Sequence, residues 1–98
     1  MNRYFKYRWE ETRGDEFDNW GFSTFFIEID ETLYTTKQIE VYDNGITLKY
    51  DIEHLFDEFG MLPDKSICED ELRESNTLEI SKDEFQMNWF TLNASNKK

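Results

Sequence analysis

The dipeptide Asn44-Gly45 lies between two segments of alternating apolar and polar residues, Lys37 to Asp43 and Ile46 to Asp51. No other feature restricts the available folds as much. Asn-Gly suits a type I′ turn, with positive φ at both central residues, and a two-residue turn sets the register of the strands it joins. Counting outward predicts Tyr42 opposite Thr47, Val41 opposite Leu48, Glu40 opposite Lys49 and Ile39 opposite Tyr50. Apolar partners then meet on one face and opposite charges on the other. Ile39, Val41, Ile46 and Leu48 are expected on the core face.

Phe5, Tyr7 and Trp9 alternate with Lys6, Arg8 and Glu10, a period of two that predicts a strand over 4–10 with one buried face. A second strand is expected from Phe22 to Asp30, with Phe25, Ile27 and Ile29 inward and Phe26 a misfit on the polar side. Between them, Glu11 to Asn19 lacks periodicity and reads as an exposed acidic loop pinned by Phe17 and Trp20. Past Asp51 the spacing changes. Ile52, Leu55, Phe56 and Phe59 recur at helical intervals before Gly60, which predicts a short helix over 52–59. Leu62-Pro63-Asp64 punctuates the chain, another helical turn is expected within 66–73, and Thr77-Leu78-Glu79-Ile80 follows.

Ser81-Lys82-Asp83-Glu84 has the form of a capping box and opens a helix with Phe85, Trp89 and Leu92 as its buried stripe. These elements predict an α+β domain, a small antiparallel sheet of about four to five strands packed against short helices that include a C-terminal one. Trp9, Phe25, Ile29, Val41, Leu48, Phe85 and Trp89 are expected to share one core. The single globular domain is placed over 1–92 and an idle, flexible tail over 93–98.

Ninety-eight residues suffice for one core, and a 17% aromatic content supplies apolar surface to oppose chain entropy, which excludes wholesale disorder. The net charge of −11 repels phosphate backbones and anionic bilayers, so neither direct nucleic-acid binding nor membrane association is expected. No apolar run approaches the roughly 20 residues of a membrane span, and Met1 to Arg8 lacks the form of a signal peptide. One cysteine, Cys68, leaves no internal disulfide and no paired-cysteine zinc motif, which suits a reducing cytoplasm.

Several pieces also match in order and spacing. They are the aromatic strand ending at Trp9, Glu28-Ile29-Asp30-Glu31 with Tyr34, Lys37 to Tyr42 with Asn44-Gly45, Leu62-Pro63, and Glu79 to Phe85 with Trp89. Together they resemble a family of small bacterial domains of unassigned biochemistry that is associated with toxin and immunity clusters. The resemblance covers 4–90 and rests on turn, cap, core and strand-charge residues, so it implies a fold and carries over no functional residue. In character the chain is also similar to the acidic immunity proteins of contact-dependent and other polymorphic toxin systems, which bind and neutralise one cognate toxin domain.

His54 is the sole histidine, so a site that needs two imidazoles is impossible. Cys68, His54 and a carboxylate can be written as a nucleophilic set. The residues read more simply as a partly exposed helix histidine and a small buried thiol. The four glycines are isolated and form no phosphate loop. Glu69-Asp70-Glu71 with Glu74 lacks the alternating ligands and turn glycine of a calcium loop, so no metal or cofactor is assigned and the chain is read as non-enzymatic.

The acidity is localised, since 51–84 holds twelve acids and three bases, a net of −9 against −2 elsewhere. Such a stretch repels itself and favours a cationic partner, although surface solubility explains many individual acids equally well. The expected contact residues are Asp51, Glu53, Asp57, Glu58, Glu69, Asp70, Glu71 and Glu74. They would occupy the basic cleft of a cognate toxin domain, a ribonuclease or another nuclease, in a 1:1 complex with a monomer. Tyr50, Leu55, Phe56, Phe59 and Met61 are assigned mainly to the core, with an apolar anchor as their alternative use. The rival reading of this charge is a non-catalytic adaptor or regulatory module for another basic protein.

Overall fold

The computed structural model of the protein describes residues 2–96. Five strands, β1 (Arg3–Trp9), β2 (Ser23–Ile29), β3 (Thr35–Tyr42), β4 (Thr47–Tyr50) and β5 (Thr77–Ile80), form one antiparallel sheet in the order β4-β3-β2-β1-β5. One α-helix, α1 (Lys82–Thr91), follows β5, and short 3-10 turns occupy Asp18–Trp20 and Glu69–Arg73. This is the α+β architecture that the periodicities imply. Among the described residues no helix is long and apolar enough to cross a membrane.

Both faces of the sheet are buried, which alternation within any one strand does not reveal. Tyr4, Phe26, Ile39 and Ile80 lie on one face and pack with Phe85, Trp89 and Leu92 at the C-terminal helix. Phe5, Ile27 and Ile29 lie on the other, beneath Leu33, Ile67 and Leu72. Tyr42, Leu48 and Tyr50 extend that second face beneath Trp20, Phe59 and Leu62. Phe26, a misfit if one face is wet, is therefore a core residue at 8% exposure. The expected single core is divided by the sheet. Val41, Phe85 and Trp89 pack on the helix side and Ile29 and Leu48 on the other, while Trp9 remains 47% exposed.

The central hairpin forms, but with a three-residue loop in place of a type I′ turn. Gly45 N–H donates to the Tyr42 carbonyl at 2.9 Å and Tyr42 N–H donates to the Ile46 carbonyl at 2.8 Å, so Asp43, Asn44 and Gly45 make the loop. Only Gly45 of the three has positive φ, at 93°. That combination is a type I turn closed by a left-handed glycine. Asp43 is withdrawn from the ladder because its carboxylate accepts from Arg8 Nη2 at 2.8 Å and from Phe22 N–H at 3.0 Å. One more loop residue slips every pairing by one, to Val41 with Thr47, Glu40 with Leu48, Ile39 with Lys49 and Gln38 with Tyr50. The expected Glu40–Lys49 ion pair is thus absent. Glu40 accepts from Ser23 Oγ at 2.9 Å on one face, and Lys49 donates its ammonium to the Trp89 carbonyl on the other. Ile39 and Val41 consequently face the helix, and Ile46 and Leu48 face away from it.

Helix α1 starts where the capping pattern places it, with Ser81 Oγ accepting from Glu84 N–H at 3.0 Å. Phe85 is 1% exposed and meets the Tyr4 ring at 5.2 Å, whereas Phe90 points outward at 77% exposure. The chain then turns back along the free edge of β4. Ser95 N–H donates to the Thr47 carbonyl, and Asn96 pairs with both the N–H and the carbonyl of Lys49 at 2.9 and 3.0 Å. The tail expected from residue 93 is therefore engaged at Ser95 and Asn96, because an exposed strand edge offers unpaired backbone groups; residues 97–98 lie outside the described residues. Phe85→Ala is expected to cost about 3–5 kcal/mol in urea unfolding, against about 0.5 kcal/mol or less for Phe90→Ala. Equal costs would show that the helix docks through another face.

Candidate functional site

No helix forms over 52–59. In its place Asp51 bridges to His54 and Phe56 to Met61, so the segment is an irregular double turn. The cause is Asp57. Its Oδ1 accepts from Tyr50 Oη at 2.8 Å, Phe59 N–H at 2.8 Å and Gly60 N–H at 3.2 Å. Its Oδ2 accepts from His54 Nε2 and Asn96 Nδ2, each at 2.8 Å. A carboxylate that captures backbone N–H groups two and three residues ahead competes directly with helical bonding. Burial opposes ionisation of Asp57, but the bonds from His54, Asn96, Phe59 and Tyr50 outweigh it and hold the carboxyl well below the usual range. Asp57, expected as a partner contact, is thus an internal anchor.

Arg13, which the sequence reading leaves inside an acidic loop, completes the support. Its guanidinium donates to Tyr42 Oη at 3.0 Å and to the Phe59 carbonyl at 2.6 Å, and lies 5.3 Å from the Trp20 ring. Burial, chiefly, pushes the Tyr42 hydroxyl up to about 12, so it stays protonated. With Asp57 and Arg13 holding its inner side, the loop turns several apolar side chains outward. Phe56 and Met61, bridge partners and hence neighbours on one side, are 74% and 53% exposed, and Ile52 and Leu55 are 82% and 50% exposed. Of the five residues assigned mainly to the core, only Tyr50 is buried and Phe59 half-buried; Leu55, Phe56 and Met61 are not.

The remaining expected contacts divide into two groups. Glu53 and Glu58 are exposed on the loop that follows β4, and Asp51 is half-buried there, its carboxylate accepting from Glu53 N–H at 3.0 Å. Glu69, Asp70, Glu71 and Glu74 are exposed around the 3-10 turn beside β5. Three strand spacings separate β4 from β1, so the groups stand roughly 15 Å or more apart at opposite ends of one face. Glu69 and Asp70 are also partly neutralised, by Arg3 at 3.8 Å and Arg73 at 3.6 Å.

Between the two groups runs a groove of about 490 Å³ on the same face. Tyr7, Ile27, Thr35 and Gln38 of the sheet contribute to it, facing Ile67 and Leu72 of the covering chain. Ile67 N–H donates to the Leu33 carbonyl at 2.8 Å, which ties that covering chain to the β2–β3 turn. Trp9, Lys65, Glu71 and Glu74 also line the groove. Thr35, only 5% exposed, carries a buried hydroxyl with no hydrogen-bond partner. Gln38 was legible only as a strand residue and Thr35 lay outside the expected strands, and their inward position becomes visible only once both sheet faces are known to be covered.

His54 stacks on Tyr50 at 5.7 Å between ring centres, while Cys68 is exposed on the separate segment that starts the 3-10 turn. The thiol is thus not the buried hydrophobe expected. Among the described residues, no three His, Cys, Asp or Glu side chains gather as a metal ion requires. Comparison with protein-family models, with curated proteins and with solved structures finds no match for this chain.

The Asp57 network has a defined acid response. Its contribution to stability is present above the ordinary aspartate value of 3.8 and is lost as pH falls through the depressed folded-state value. Asp57→Ala is expected to destabilise the protein by about 2–4 kcal/mol near neutrality. Urea melts from about pH 6 to about pH 2 should show a shallower acid-side slope in the variant than in the parent. Parallel slopes would mean that Asp57 titrates alike in the folded and unfolded chains.

Proposed function

We propose that the chain is a non-catalytic binding protein that docks on a basic protein domain. In this reading its partner is a cognate bacterial toxin, a ribonuclease or another nuclease, which it neutralises one-to-one in the cytoplasm as an immunity protein. The observation that carries the reading is the outward presentation of Phe56 and Met61, beside Ile52 and Leu55, on a loop held by Asp57. Exposed apolar surface contributes nothing to a monomer, and burying it against a partner gains about 25 cal/mol per Å². Interface anchors are typically aromatic or apolar side chains ringed by polar ones. Exposed Glu53 and Glu58 lie on the same loop as these apolar side chains.

The internal bonds of the loop matter energetically as well. A segment already fixed by five hydrogen bonds to one carboxylate loses little conformational freedom on binding. The net charge of −11 favours a cation-rich surface and steers its approach, as the cleft of a nuclease must be cation-rich to hold phosphates. Cys68, exposed and unpaired with another cysteine, suits a reducing compartment.

The reading expects a basic toxin domain to be encoded beside the gene for this chain, and the test uses that domain. Nuclease activity is expected to fall to completion at a 1:1 ratio, and Phe56→Ala to weaken the complex about tenfold or more. Raising salt from about 50 to about 500 mM should slow association far more than it speeds dissociation. Undiminished nuclease activity in excess binding protein overturns the reading, and parental affinity in Phe56→Ala overturns the loop as its anchor.

A further inference from the structure

The groove between the two acidic groups has a chemistry of its own. Thr35 and Gln38, at 5% and 6% exposure, are the buried polar side chains that line it. The Thr35 hydroxyl is unpartnered, and the Gln38 amide makes no hydrogen bond among the described residues. A buried polar group without a protein partner costs about 1–3 kcal/mol, and a ligand with donors aimed at the Gln38 amide would offset part of that cost. Glu71 and Glu74 line the same groove. Glu71 sits in the 3-10 turn and Glu74 is the residue that ends it three positions on, and both contribute to the wall of the groove. Neither makes a side-chain hydrogen bond or ion pair among the described residues, in contrast to Glu69 and Asp70.

We infer that this groove is a subsite for an arginine side chain of the basic partner, with the guanidinium laid along Trp9 and directed at Glu71, Glu74 and the floor group Gln38. The inference rests on the docking reading above and names one contact within it. Arginine has five N–H donors and no acceptor, and the carboxylates and the Gln38 carbonyl oxygen can all accept. Trp9, 47% exposed, leaves ring surface for the planar cation to cover. Ile27, Ile67 and Leu72 suit the methylene stem. Lys65 is the one cation of the lining and is itself exposed, so the lining keeps a formal charge of −1. A lysine would fit less well, because an ammonium is strongly hydrated and cannot bridge two carboxylates as a planar fork.

The probe is the tripeptide acetyl-Gly-Arg-Gly-amide, titrated into the isotope-labelled full chain and followed by NMR, with the lysine and citrulline tripeptides alongside. Saturable shifts are expected at the Trp9 indole N–H and the Gln38 side-chain amide, with the arginine peptide bound about fivefold or more tightly than either analogue. The double variant E71Q/E74Q, altered only at exposed positions, should keep its spectrum and lose about fivefold or more in arginine-peptide affinity. Equal binding of the citrulline peptide, or shifts confined to Glu53 and Glu58, overturns the subsite. A toxin complex that Phe56→Ala breaks but E71Q/E74Q leaves intact also overturns it while sparing the docking reading. An arginine peptide seated in the groove of a protein that inhibits no neighbouring toxin sinks the docking reading and leaves the subsite standing.

Discussion

His54, Phe59 and Gly60 of the 51–62 loop, Tyr50 at the end of β4 and Asn96 in the tail all bond to the carboxylate of Asp57. The need for such an anchor follows from the sheet. Its strands carry apolar side chains on both faces, yet α1 covers only one. The other is covered by chain without repeating structure, whose backbone groups must find partners one at a time. An ionised carboxylate with four lone-pair sites meets this need compactly, accepting two backbone N–H groups and three side-chain donors. Its burial is unfavourable by itself and is offset only because the donors converge, so each part of the network depends on the rest.

The same economy alters the meaning of the charge. Asp57 is internal, Glu40 is half-buried with its carboxyl pushed up chiefly by burial, Asp30 bonds within its own turn, and Asp43 bonds to Arg8 and Phe22. The field presented to a partner therefore comes from fewer carboxylates than the sequence contains, and the exposed acids among the expected contacts stand at two ends of one face. Between them lies a groove lined by the buried polar side chains Thr35 and Gln38, and at one end stands an apolar loop. This arrangement supports a binding reading more specifically than net charge does, because charge steers an encounter whereas anchors and fitted subsites hold it.

Periodicity and capping located the strands and the C-terminal helix because those signals are local. Lys6, Arg8 and Glu10 alternate with aromatics wherever the segment goes, and Ser81 caps its helix through the N–H of Glu84 three residues on. The hairpin register was not legible, since Asp43 prefers Arg8 and Phe22 to the ladder and neither is a sequence neighbour. The apparent helix at 52–59 failed for a similar reason. Its apolar spacing was real, but Tyr50, His54 and Asn96 hold Asp57 where its oxygens capture the N–H groups of Phe59 and Gly60.

The sequence by itself thus determined an α+β domain, an antiparallel hairpin closed near Gly45, a helix begun at Ser81 and a strongly negative surface. Tertiary structure decided that both sheet faces are covered, that Phe26 is core while Phe56 is not, that Asp57 anchors its loop from within, and that Thr35 and Gln38 line a groove. The dividing line is physical. Secondary structure follows from interactions a few residues long, whereas which side of a strand or loop is buried depends on which distant segment arrives to cover it.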